Sequence, residues 1–300
     1  MDIRQDIMAY SYFMNEMQRY QDLRPSPEVV FPIDDKPLII PFGLPYSGKS
    51  MLIMRLHWFL LCNNMCDGLL YPCSIKYVSC QQNQNTNEDD YLKDLCGYLE
   101  RCLYQNEPPF SRWHGREYSY MFTFCNPLNG GILCHIVDLP GEAFNLNNSS
   151  VWWTKYRESL MAASNKKIWL FLIEKDGLEN QQKRDEYTLI INRMVHNMSP
   201  KDEAVFVFNK ADLYINRYGK EKSIDIMHFM RDIMQQYPNL FDRYKNKGLS
   251  RFFKGEYSFN YTFFSSGVFT NARYIGMDDV WTPSPDIYCK NLWKKIRALL

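Results

Sequence analysis

The chain has 300 residues, 46% of them hydrophobic and 16% aromatic, enough to bury a bulky core in one large α/β domain or two small ones. Its 35 basic and 34 acidic residues leave a net charge of +1 without a polybasic run, so the charge favours neither a nucleic-acid nor a membrane partner. Nine cysteines without regular spacing argue against a disulfide-stapled secreted fold and against a zinc site, and they favour reduced thiols in the cytoplasm.

Residues 1–35 are predicted to form a helical extension and a linker. Residues 3–21 have the spacing of an amphipathic helix, which the prolines at 25 and 27 end. Charged residues interrupt the apolar ones, so no signal-peptide core is expected, and no apolar run reaches about 18 residues, so no membrane span is expected. We expect the helix to pack against the following domain or against a partner chain.

Residues 36–300 alternate between strand-like and helix-like segments and are predicted to form one domain. Strands are predicted at residues 36–42, 74–80, 118–125, 132–138, 167–173, 204–208 and 258–264. Helices are predicted at residues 50–61, 89–103, 151–163, 178–196, 220–236 and 286–300. This order predicts an α/β fold with a mostly parallel central sheet, one antiparallel hairpin strand and helices on both faces.

A glycine-rich loop, GLPYSGKS at residues 43–50, lies between the first strand and the first helix. Glycines let backbone N–H groups turn inward around phosphates, Lys49 can neutralise the β- and γ-phosphates, and the Ser50 hydroxyl can ligate Mg²⁺. Pro41 removes a ladder hydrogen bond from the preceding strand, which indicates that the strand bends there into the loop. The predicted nucleotide contacts of this loop are Gly43, Tyr46, Ser47, Gly48, Lys49, Ser50 and Met51.

The segment Asp138-Leu139-Pro140-Gly141 follows the apolar strand 132–138. Asp-x-x-Gly is a weak motif by itself, but a carboxylate that ends such a strand lies at the edge of the sheet where ligands bind. We expect Asp138 to hold a magnesium-bound water and the Gly141 N–H to meet the γ-phosphate.

The segment Asn209-Lys210-Ala211-Asp212 follows the apolar strand 204–208. Asp212 can accept hydrogen bonds from the guanine N1–H and exocyclic amine, which adenine does not offer. Asn209 can bond the other edge of the base and tie the loops together, and the Lys210 stem can lie over the ring. The three motifs in this order predict a site for GTP with Mg²⁺.

With these motifs, residues 36–300 resemble the translation-factor-related GTPases, which include the Ras-like switches. The resemblance implies that Ser265, Ser266 and Gly267 form the last loop of the nucleotide site, although the family usually has Ser-Ala there. The string Asp-Leu-Pro-Gly-Glu and the extra strand and helix before the hairpin are similar to bacterial double-GTPase families. That similarity implies a second GTPase domain or a protein effector as partner.

The chain departs from this family at two positions of the implied catalytic machinery. No threonine lies between Thr86 and Thr123 to ligate Mg²⁺ from switch I, and Ser111 is the favoured substitute, with Thr86 as the alternative. Glu142 stands where Ras-like proteins have a glutamine that orients the attacking water, so slow hydrolysis is expected. Arg112 and Arg116 can supply a positive charge to the site from the same chain, as an arginine finger does. The alternative is that they are ordinary solvated loop residues.

The sequence thus predicts a GTP-binding switch that hydrolyses GTP slowly, with Lys49, Gly141 and Glu142 as its catalytic residues. One alternative is a nucleotide-binding interaction module without turnover. The other is a phosphate-loop ATPase or kinase, which Asp212 disfavours.

Overall fold

The structure is a computed structural model that describes residues 34–44, 47–62, 74–79, 120–125, 131–138, 151–175, 180–214, 225–246, 257–270 and 280–300. The predicted helices at 3–21 and 89–103 lie outside these residues. So do the following predicted or alternative site residues: Tyr46, Thr86, Ser111, Arg112, Arg116, Gly141 and Glu142.

The described part of the chain alternates between strands and helices as its apolar spacing predicts. The strands are β1 Leu38–Phe42, β2 Ser74–Ser79, β3 Tyr120–Cys125, β4 Ile132–Asp138, β5 Lys167–Glu174, β6 Glu203–Asn209, β7 Asn260–Phe263, β8 Gly267–Thr270 and β9 Val280–Pro283. The α-helices are α1 Lys49–Cys62, α2 Val151–Ala162, α3 Gln181–Asn197, α4 Ile226–Gln236 and α5 Ile287–Arg297. Within the described ranges, no helix has the length and apolar character needed to cross a membrane.

Seven strands form the main sheet in the order β2-β3-β4-β1-β5-β6-β7, and β4, β1, β5, β6 and β7 run parallel. The strand β3 pairs antiparallel with both β2 and β4. The predicted α/β fold, with a mostly parallel sheet and one antiparallel hairpin strand, is therefore confirmed. The carboxyl ends of the five parallel strands meet at one edge of the sheet, where open α/β sheets bind their ligands.

Large aromatic side chains fill the core on one face of the sheet. Phe42 of β1 stacks on Tyr187 of α3 with ring centroids 6.4 Å apart, and Phe208 of β6 meets Phe229 of α4 edge-on at 5.0 Å. Each such pair contributes about 0.5–1.5 kcal/mol beyond its buried area. The helices α1 and α5 contact one another, α1 also contacts β4, and α5 contacts β7.

Pro41 determines where β1 separates from β4. The Leu38 N–H donates to Lys166 O on the β5 side, so the N–H groups at alternate positions, including position 41, face β4. Proline has no N–H, and β1 pairs with β4 only as far as Ile39 opposite Ile136, whereas it pairs with β5 through to Phe42. The pairing of β1 with β4 therefore ends before Pro41, whereas its pairing with β5 continues to Phe42. The expectation that the strand bends into the loop at Pro41 is corrected in this respect.

Side chains cap the first turns of two helices. The Asn180 side chain accepts from the Lys183 N–H at 2.9 Å, so α3 begins at Gln181 and not at residue 178. Asp225 accepts from the His228 N–H at 3.0 Å in the same way before α4.

The sequence prediction also missed a small antiparallel sheet. The strands β8 and β9 pair between the end of β7 and the start of α5, with Gly267 opposite Pro283.

Candidate nucleotide-binding site

The glycine-rich loop leads from β1 into α1 at the carboxyl edge of the sheet. Lys49 is the first residue of α1, and its buried ammonium group donates to the carbonyl oxygens of Gly43 at 2.8 Å and Leu44 at 2.9 Å. The Ser47 N–H donates to Leu44 O at 3.2 Å and closes a turn in the loop. The loop is therefore compact, and a positive charge lies within it.

Both glycines of the motif are required by the geometry of the loop. Gly48 has φ of +82°, a conformation that residues with a Cβ rarely adopt. A Cβ on Gly43 would overlap the Ser47 hydroxyl oxygen and would lie 3.4 Å from the Leu172 Cβ. Substitution of either glycine would therefore distort the loop.

Ser50 and Asp138 come together from separate motifs. The Ser50 hydroxyl donates to the buried Asp138 carboxylate, at 3.0 Å from Oδ2 and 3.4 Å from Oδ1. A hydroxyl and a carboxylate suit Mg²⁺, which protein side chains usually hold through one or two oxygens while phosphates and waters complete the shell. Across the described ranges no group of three or more His, Cys, Asp and Glu side chains could hold a metal ion.

Asn209 connects the loop after β6 to the glycine-rich loop. Its buried side-chain amide donates to Ser47 O at 2.7 Å, across 162 residues of sequence. Lys210 has φ of +55°, which costs free energy in a residue with a Cβ, and its ammonium group pairs with Glu174 Oε2 at 2.7 Å. The tip of Lys210 is therefore held at the end of β5.

Residues of the loop after β7 hold Asp212 and the residue before it in place. The buried Ser265 hydroxyl donates to Asp212 Oδ1 at 2.5 Å, and the Ala211 N–H donates to Phe264 O at 3.0 Å. Ser265 therefore reaches the site through its side chain. The carbonyl of Ser266, the next residue of this loop, accepts from the backbone N–H of Ser284 at 3.2 Å, and Gly267 begins β8.

Two buried tyrosines hold the ends of β5 and β6 together beneath this site. The Tyr214 hydroxyl donates to Asn209 O at 2.8 Å and accepts from the Lys175 N–H at 2.6 Å. The Tyr237 hydroxyl donates to Glu174 O at 2.6 Å. The strand ends that carry Glu174 and Asn209 are thus fixed in register, as their direct pairing also requires.

The structure thus joins most of the described site residues through direct hydrogen bonds. Met51 follows Ser50 in the first turn of α1. Sequence reasoning missed Glu174 and Ser284. Glu174 ends an apolar strand just as Asp138 and Asn209 do, so the rule that selected those two residues could have found it; Ser284 lies between two prolines and has no comparable signal.

No protein-family model matches the chain, and no curated protein matches it in sequence. Among solved structures, nucleolar GTP-binding protein 1 of Plasmodium falciparum is similar at 15% identity with a TM-score of 0.36, covering 79% of this chain and 80% of that chain. The Roco2 RocCORdC protein of Methanosarcina barkeri, bound to GDP, is similar at 9% identity with a TM-score of 0.25, covering 73% of this chain and 44% of that chain. The sheet order and the loops at the strand ends, and not these low TM-scores, define the Ras-like P-loop fold class.

Proposed function

We propose that this chain binds GTP and GDP with Mg²⁺ at the carboxyl edge of its sheet and hydrolyses GTP slowly as a molecular switch. The observation that carries this proposal is the 2.7 Å hydrogen bond from the Asn209 amide to Ser47 O. It joins a loop suited to phosphate with a loop suited to guanine, and one ligand containing both chemical groups fits across the pair.

The phosphate end of the ligand would meet a positive charge and backbone N–H groups. Lys49 is available to exchange its bonds to the Gly43 and Leu44 carbonyls for bonds to phosphate oxygens, which bind an ammonium group more strongly because they are charged. Ser50 and Asp138 would hold Mg²⁺, which offsets the negative charge of the phosphates. The proposal assigns Gly43, Tyr46, Ser47, Gly48 and Met51 to the phosphate cradle.

The base end would be selected by Asp212. A carboxylate oxygen has two lone pairs, so Asp212 retains acceptor capacity beside the hydrogen bond from Ser265. Guanine presents two donors to this group, and adenine would leave it unpaired at a cost that can exceed a thousandfold in affinity. In this proposal Lys210 covers the ring with its stem while Glu174 holds its ammonium group, and the backbone of residues 265–267 meets the guanine O6.

The hydrolytic step is assigned to residues outside the described ranges. Glu142 would accept a hydrogen bond from the attacking water, the Gly141 N–H would meet the γ-phosphate, and Ser111 would complete the metal ligands from switch I. A carboxylate beside a triphosphate adds negative charge, so we expect slow turnover. Similarity of the Asp-Leu-Pro-Gly-Glu string to double-GTPase families adds a second GTPase domain, or a protein effector, as the proposed partner.

Nucleotide selectivity tests the binding proposal. The purified chain should bind GDP with Mg²⁺ at least about a hundredfold more tightly than ADP. In Asp212→Asn the preferred base should change from guanine to xanthine, because the xanthine 2-carbonyl accepts a hydrogen bond from the new amide. Equal affinity for GDP and ADP in the unsubstituted chain would favour an ATPase or kinase, and failure of the xanthine exchange would remove Asp212 from the base site.

Phosphate release separates the switch from an interaction module without turnover. In a single-turnover assay with GTP and Mg²⁺, we expect slow release of phosphate, and ATP should give none above background. Glu142→Gln and Glu142→Ala should change the rate if the carboxylate orients water. Tight GTP binding with no release over hours would support the interaction module, and an unchanged rate in both variants would remove Glu142 from the mechanism.

A further inference from the structure

Ser284 joins the loop of Ser265 and Ser266 to the rest of the molecule. This residue is 6% exposed and lies between β9 and α5. Its hydroxyl donates to the Ser265 carbonyl, and its backbone N–H donates to Ser266 O at 3.2 Å. The two consecutive carbonyls of the loop are thus both bound by a single serine.

The carbonyl of Ser284 continues this connection to the helix that follows the glycine-rich loop. Arg55 of α1 is 2% exposed, and its Nη2 donates to Ser284 O at 2.7 Å and to Asp286 Oδ1 at 2.5 Å. Since Ser265 in turn donates to Asp212, hydrogen bonds run without interruption from α1 to the carboxylate of the base loop. The first turn of the same helix carries Lys49 and Ser50.

The backbone around Ser284 is restricted before any ligand binds. Pro285 confines the residue before it to an extended conformation, and Pro283 gives β9 a fixed φ angle. The pairing of Gly267 with Pro283 in the β8–β9 sheet then holds Ser284 beside Ser266. This arrangement lowers the entropy cost of presenting the Ser284 hydroxyl and N–H to the loop and its carbonyl to Arg55.

Arg55 is a buried cation that, among the described residues, forms side-chain hydrogen bonds through only one of its three nitrogen atoms. Within the described ranges, its Nε and Nη1 atoms are buried and have no hydrogen-bond partner. Burying a guanidinium in this way costs stability, and an apolar residue would fill the same space at lower cost. Besides its ion pair with Asp286, a role in positioning Ser284 gives a functional reason for a buried arginine at this place.

We propose that Ser284 and Arg55 are positioning residues for guanine recognition, because they fix Ser265, and through it Asp212, relative to the phosphate loop. This inference rests on the proposed guanine-nucleotide site. It adds a second connection between the phosphate end and the base end of that site. This connection is independent of the Asn209 bond and depends on Ser284 and Arg55, which lie outside every motif.

The test compares Ser284→Ala with Ser284→Thr and with a control that removes a different buried hydroxyl. Thr188→Val is the control, since the Thr188 Oγ1 on α3 is buried and has no hydrogen-bond partner within the described ranges. Affinity is measured for GDP, for inosine diphosphate, which lacks the exocyclic amine, and for inorganic tripolyphosphate, which lacks the base. Thermal unfolding of each variant is recorded in parallel.

Ser284→Ala should weaken GDP binding about fivefold, the effect of one lost hydrogen bond, and should reduce the preference for GDP over inosine diphosphate. Its affinity for tripolyphosphate should stay within about twofold, and Ser284→Thr and Thr188→Val should keep the unsubstituted values. Arg55→Lys should also reduce the preference for GDP over inosine diphosphate. This variant provides a second test if Ser284→Ala does not fold.

An unchanged GDP preference in both Ser284→Ala and Arg55→Lys would overturn the inference and leave the proposed function intact. Equal weakening of GDP and tripolyphosphate with a lowered unfolding temperature would show a purely structural role and would also overturn it. If the unsubstituted chain does not prefer GDP to ADP, the proposed function fails first, and the inference fails with it.

Discussion

The proposed phosphate and base ends of the site differ in whether their ligand-binding groups are already engaged in hydrogen bonds. At the phosphate end, Lys49 binds carbonyls of its own loop, and Ser50 and Asp138 bind each other, so a ligand or a metal must replace these bonds. At the base end, the bonds from Asn209 to Ser47 and from Ser265 to Asp212 support the loops and leave acceptor capacity for a base. We infer that the base end is preorganised, whereas the phosphate end exchanges partners upon binding.

Lys49→Met should have the largest effect, because it removes the charge of the phosphate end and keeps most of the side-chain volume. We expect GDP affinity to fall about a hundredfold, equivalent to about 2.7 kcal/mol and near the upper range for a charged hydrogen bond. The preference for GDP over ADP should persist, since the base end is intact. Titration of both nucleotides measures this, and loss of the preference would contradict the separation of the two ends.

Ser50→Ala should have an intermediate effect that depends on Mg²⁺. The variant removes one proposed metal ligand and the hydrogen bond to Asp138. We expect the gain in GDP affinity upon adding Mg²⁺ to shrink about tenfold, whereas affinity in EDTA should change little. Ser50→Thr retains the hydroxyl and is the matched control. Equal losses with and without Mg²⁺ would mean that the hydroxyl supports the loop and not the metal.

Acid should destabilise the fold through a histidine on the helix behind the phosphate loop. Burial lowers the pKa of His57 on α1 from 6.5 to about 4. Between these values the unfolded chain binds a proton that the folded chain does not, so the free energy of unfolding decreases as pH falls, by about 2 kcal/mol at pH 5 relative to pH 8. Urea unfolding of His57→Gln should lose this part of the pH dependence. An unchanged pH dependence in the variant would contradict it.

The sequence predicted the seven strands of the main sheet because its apolar periods change cleanly between strand and helix. Helix starts depended on side-chain caps, such as Asn180 and Asp225, that apolar spacing does not detect. The β8–β9 sheet was missed because its strands have four residues each, too few to establish a period, and β9 ends in a proline.

The candidate site could be proposed from the sequence where neighbouring residues provide the chemistry. The glycine-rich loop and residues 209–212 are contiguous, so their motifs could be read directly from the sequence. The partnerships of Lys210 with Glu174 and of Ser265 with Ser284 join segments 36 and 19 residues apart in the chain. Such pairs depend on strand register and on the β8–β9 pairing, which residue spacing alone does not specify.

The early end of the pairing between β1 and β4 at Pro41 has a consequence for the carboxylate of the proposed metal site. The register of β4 with β1 extends to Ile136, and the next two residues, Val137 and Asp138, pair with Met121 and Tyr120 of β3. The backbone of Asp138 is therefore held by its pairing with β3, and its side chain is held by Ser50. We infer that a shift of β3 along its length would move the carboxylate that we propose as a metal ligand.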